Sequence, residues 1–167
     1  MAAVEFRNPV TVRIAGFLAE IGLKVRPGEI VERTFLPGIL ISNGEPLIDE
    51  DKLQYPGDLL HEAGHLALME PARRARVHVD AGRDGGEEMG AIAWSFAALR
   101  ALDLDPAVVF HDGGYRGGSK ALIENFSAGR YIGVPMLEWL GLTTPARTAR
   151  ELQIAPYPHM VKWLRDE

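Results

Sequence analysis

Leu59-Leu60-His61-Glu62-Ala63-Gly64-His65-Leu66-Ala67 decides how this chain is read. The string is H-E-x-x-H set among apolar residues. It lies in a stretch, Gly57 to Glu70, whose residues Leu59, Leu60, Ala63, Leu66 and Ala67 keep helical phase. Positions four apart share a helix face, so the spacing predicts that His61 and His65 present their imidazoles to one ion. Glu62, beside His61, then reaches a water activated by that ion without occupying a ligand position. This is the arrangement for zinc-assisted hydrolysis, in which the ion acidifies a water and polarises a carbonyl.

Zinc needs a third protein donor, and the 167-residue chain contains no cysteine. Disulfide stapling, thiolate catalysis and every Cys-ligated metal site are thereby excluded, and any transition metal must be held by nitrogen and oxygen. Downstream of the motif, His78, Asp80, Glu87, Glu88 and His111 are the candidates. Glu87 and Glu88 open the next convincing helix, Glu87 to Leu102, which is alanine-rich and ends before Asp105-Pro106. Helical periodicity leaves these two glutamates undivided, since small or apolar residues follow both. Acidic residues in a first turn also complement the helix dipole, which accounts for one of the pair without a metal.

Outward from these two helices the chain reads as one α+β domain spanning residues 1–167, mainly helical. Pro9 to Leu23 has helical phase, with Asn8-Pro9 as cap and first turn. Glu29 to Thr34 is expected to be a strand. Ile39 to Ser42 and Pro46 to Asp49 flank Asn43-Gly44, a strong hairpin signal, so a small antiparallel sheet should precede the motif helix. Pro46 suits an edge strand, where an extended substrate gains main-chain hydrogen bonds. Pro71 to Gly86 looks irregular or weakly stranded, and its Arg73, Arg74 and Arg76 read as a solvated loop. Further helices are expected over Ser119 to Tyr131 and Met136 to Leu142, with a short terminal one ending near Arg165.

These motifs resemble the small zinc peptidases of the gluzincin type, in particular the ImmA/IrrE-like family. There a short sheet precedes the H-E-x-x-H helix, and a second helix carries E-x-x-A-x-x-aromatic-small. Glu88-Met89-Gly90-Ala91-Ile92-Ala93-Trp94-Ser95 has that form, although Ile92 stands where the family usually has Asn or Asp. The resemblance covers roughly residues 38–102. It implies a zincin-like minimal metallopeptidase with His61, His65 and Glu88 as Zn²⁺ ligands and Glu62 as general base.

His111-Asp112-Gly113-Gly114-Tyr115-Arg116-Gly117-Gly118 is a glycine-dense loop able to bring functional groups to a site. His111 and Tyr115 are its candidates for stabilising the oxyanion of a tetrahedral intermediate. The expected activity is that of a zinc-dependent peptidase acting on a protein or peptide substrate. The alternative is a catalytically inactive metal-binding domain with an interaction or regulatory role.

A formal net charge of −5 argues against a general nucleic-acid or anionic-membrane binder. No window has the roughly 18 consecutive apolar residues of a membrane span. The N-terminus lacks the pattern of a signal peptide. The expected address is the cytoplasm of a bacterium.

Overall fold

Two helices, one buried almost throughout and the other along its middle, position the site. In the computed structural model, which describes residues 5–79 and 84–167, the H-E-x-x-H segment forms one of them, Asp58–Leu68. All of its residues except His61 are buried. The other is Gly85–Ala101, buried continuously from Gly90 to Leu99. Numbered in chain order, the helices are α1 (Pro9–Glu20), α2 (Asp58–Leu68), α3 (Pro71–Arg74), α4 (Gly85–Ala101), α5 (Ser119–Ser127), α6 (Val134–Trp139) and α7 (Ala146–Leu152).

Small residues let α2 and α4 approach closely. A Cβ at Gly64 would stand only 2.9 Å from the Ala91 carbonyl oxygen and 3.2 Å from Ala91 Cα. Leu59, Leu60 and Leu66 of α2 and Trp94, Phe96 and Leu99 of α4 fill the remaining core. Ile14 and Leu18 of α1 add to it, both fully buried. As expected, Asn8 caps α1, its Oδ1 accepting from Val10 N at 2.8 Å. Asp84 caps α4 likewise, accepting from Gly86 N and Glu87 N at 3.0 Å each.

The sheet is mixed, with strands β1 (Arg26–Pro27), β2 (Ile39–Ser42), β3 (Glu45–Ile48) and β4 (His78–Val79) in the order β1-β3-β2-β4. The β2–β3 hairpin turns at Asn43 (φ 51°) and Gly44 (φ 78°), the left-handed pair that a two-residue turn requires.

Three strand expectations are corrected. The wholly antiparallel sheet gives way to a mixed one, because β1 runs parallel to β3. Glu29 to Thr34 is no strand: only Ile30 is buried, Val31 is exposed, and the Ile30 N–H donates to the Asp49 carboxylate at 3.1 Å rather than into a ladder. β3 is also not an edge, since β1 and β2 pair with it on either side. Pro46 is tolerated there because β1 reaches only Leu47 and Ile48.

The tail departs from the sequence reading too. Beyond α7 no described residue is helical. The chain instead runs across the two central helices: the Trp94 indole donates to the Trp163 carbonyl at 2.9 Å, and Arg165 N donates to the Ala67 carbonyl at 2.9 Å. The N–H groups of Val161 and Lys162 likewise go to the Leu142 carbonyl, at 2.9 and 3.3 Å, rather than to a carbonyl one turn back in a helix.

Candidate metal centre

The α2 periodicity puts Asp58, His61, Glu62 and His65 on one face, at positions i, i+3, i+4 and i+7. The Nε2 atoms of His61 and His65 are 3.3 Å apart, with the rings at 80° to each other. From the first turn of α4, Glu88 brings Oε1 to 3.2 Å from His61 Nε2 and Oε2 to 2.9 Å from His65 Nε2. These three residues each aim a ligand atom at the others, all within 4.8 Å. The tight α2–α4 crossing at Gly64 is what brings Glu88 within reach.

Glu87, the neighbour that the sequence leaves as a rival, points elsewhere and pairs through both carboxylate oxygens with the Arg73 guanidinium. The two other arginines of that cluster also have structural partners. Arg74 donates to the Leu66 and Met69 carbonyls at 2.7 and 2.9 Å, closing the end of α2, and to the Arg165 carbonyl at 2.6 Å. Arg76 donates to the Ala72 carbonyl at 3.0 Å.

The donor set fits zinc. Two nitrogens each about 2.0–2.1 Å from a tetrahedral zinc stand about 3.3–3.4 Å apart, close to the separation seen between the two imidazoles. Without a cation the cluster is electrostatically demanding. Burial works to lower the pKa of His61, but hydrogen bonding and charge from Glu88 outweigh it and raise the value. Hydrogen bonds from His61, then His65, hold the Glu88 carboxyl far below the usual carboxylate range. His65 is 2% exposed, whereas the Glu88 side chain is 41% exposed, so the centre opens toward solvent on the α4 side. Glu62 is buried on the same α2 face, next to His61.

The glycine-dense loop reaches the same face of α2 from the other side. Tyr115 places its hydroxyl 3.3 Å from His61 Nδ1, the nitrogen opposite the one that faces Glu88. Burial pushes the Tyr115 phenol pKa up. His111 donates from Nε2 to Asp58 Oδ1 at 2.6 Å and stacks on Tyr55 at 3.6 Å, the planes 5° apart. Burial pushes the Asp58 carboxyl up, against the opposing pull of His111. The contacts of His111 are thus with Asp58 and Tyr55 and that of the Tyr115 hydroxyl is with His61, so neither side chain is one of the three clustered donors.

Of the other metal candidates, His78 is exposed on β4 and is not part of the cluster. Asp80 lies outside the described residues. Asp58 and Tyr55 are the residues that sequence reasoning missed. Asp58 carried a signal, one helical turn before His61, whereas nothing local marked Tyr55. Comparisons of the chain with known protein families, curated proteins and solved structures find no match.

Proposed function

We propose that this protein is a zinc-dependent hydrolase, and specifically a peptidase of the zincin-like, gluzincin type that its motifs resemble. The observation that carries the reading is the convergence of His61 Nε2, His65 Nε2 and the Glu88 carboxylate, with Glu62 on the same helix face. Zinc held there would supply Lewis acidity, enough to lower the pKa of a water to about 7 and to polarise the scissile carbonyl.

The chain's own residues do the rest. His61, His65 and Glu88 would hold the ion, their positions set by α2 and α4. Glu62 takes the proton of the attacking water as its oxygen adds to the carbonyl carbon. It then delivers that proton to the departing amine as the C–N bond breaks. Three protein donors among the described residues, with an open flank at Glu88, match a catalytic count better than the four donors of a structural zinc. That favours an enzyme over an inactive metal-binding domain. The substrate is a protein or peptide.

The test is Glu62→Gln, assayed for hydrolysis of an unfolded protein substrate alongside metal content. The variant is expected to keep its zinc and to lose turnover by at least about 100-fold, the low end of what a positioned general base contributes. Full turnover in that variant contradicts the mechanism.

A further inference from the structure

We infer that Tyr115 is a positioning residue for His61, locked in place by the buried His111–Asp58 pair, so that the loop over residues 111–118 acts as an outer clasp on the metal centre. The inference rests on the zinc reading above and extends it to residues outside the donor set.

An imidazole binds a cation through whichever nitrogen lacks a proton, and the partner at the other nitrogen decides which one that is. His61 faces Glu88 with Nε2, and the Tyr115 hydroxyl lies 3.3 Å from its Nδ1. A hydroxyl accepts as well as donates. It accepts the Nδ1 proton when Nε2 is given to a cation, and donates to Nδ1 when Nε2 instead carries a proton toward Glu88. The buried Nδ1 of His65, by contrast, has no hydrogen-bond partner among the described residues. His61 is therefore the imidazole this loop orients.

The hydroxyl is held by the whole loop. The Tyr115 ring meets His61 edge-on, centroids 5.8 Å apart at 87°, and Phe110 at 5.4 Å and 70°. Its backbone is left-handed (φ 56°), as is that of Arg116 (φ 51°), a conformation that side-chain-bearing residues keep only where their surroundings over-determine it. His111 supplies that constraint. Its side chain is 9% exposed, as is that of Asp58, and the 2.6 Å contact between them fixes the loop to the first residue of α2. Between the two contact points Gly113 passes so near Tyr55 that a Cβ would stand 2.6 Å from the phenolic oxygen. The loop thus touches the motif helix twice, at Asp58 and at His61, one helical turn apart.

Tyr115→Phe keeps the ring contacts and removes only the hydroxyl. Its zinc affinity, measured by competition with a chromogenic chelator, is expected to fall about 10- to 100-fold, with the melting temperature of the metal-free protein unchanged. His111→Phe retains the stacking surface on Tyr55, loses the Asp58 contact, and is expected to weaken zinc binding in the same direction. Wild-type zinc affinity in Tyr115→Phe together with lost turnover overturns the inference and assigns the hydroxyl to the substrate. Unchanged affinity and unchanged turnover overturn it as well. Failure of the wild-type protein to bind zinc is a separate result, which removes the reading beneath it. Should Tyr115→Phe fold poorly, the absorption spectrum of the cobalt-loaded wild type and His111→Phe decides: identical ligand-field bands and affinities contradict the clasp.

Discussion

Glu87 and Glu88 are the same chemical group one residue apart, and their fates diverge because successive helix positions point about 100° apart. Glu88 lies toward α2 and meets both imidazoles, whereas Glu87 lies toward Arg73. Glu88→Ala is therefore expected to abolish stoichiometric zinc binding. Glu87→Ala should keep the metal and cost about 0–1 kcal/mol of stability, the range for an exposed ion pair. Zinc titration and urea unfolding of the two variants check this, and comparable zinc loss in both contradicts the assignment. At this scale the sequence was informative where contacts are local. His61, Glu62 and His65 were legible because one helical turn sets their relation. The contacts of His111 with Asp58 and of Tyr115 with His61 join residues more than fifty positions apart, and no local spacing encodes them.

The crossing of α2 and α4 turns separate motifs into one centre. Backbone meets backbone closely there at Gly64, inside the H-E-x-x-H string and against Ala91. Two effects oppose each other on replacing Gly64 with Ala. Helix propensity favours the variant by roughly 0.5–1 kcal/mol, while overpacking a filled core costs about 1–3 kcal/mol. Because the clash is with backbone, which cannot rotate away, overpacking is expected to win. Gly64→Ala should melt lower and bind zinc more weakly as Glu88 is pushed from the imidazoles; a variant that melts higher with unchanged affinity contradicts the crossing. Long helices were legible through their periodicity, within a few residues at their ends. The short elements were not. A two-residue strand such as Arg26–Pro27 has no period to read, and its parallel pairing with Leu47 and Ile48 is a tertiary event. Helix α7 buries only Ala149, too little for an apolar stripe.

Across the whole molecule one apolar cluster ties α1, the sheet, α2, α4 and the C-terminal third together. The tail closes it: Trp163 packs edge-on against Phe17 and Trp94, with centroids 5.0 and 5.5 Å away, and Arg165 bonds to the end of α2. Composition excluded several function classes at once, but the path of the tail depends on surfaces that exist only after folding. No helix among the described residues is long and apolar enough to cross a membrane. The centre sits where α2 and α4 cross, and its donors stand on helices rather than on loops, which is what a preorganised ion site requires. The most direct measurement is elemental analysis of protein purified without added metal, next to a His65→Ala control of equal fold by circular dichroism. The account predicts about one zinc per wild-type chain and none in the control. A wild-type chain free of zinc that also fails to take it up on titration, or a control that retains the metal, would contradict it.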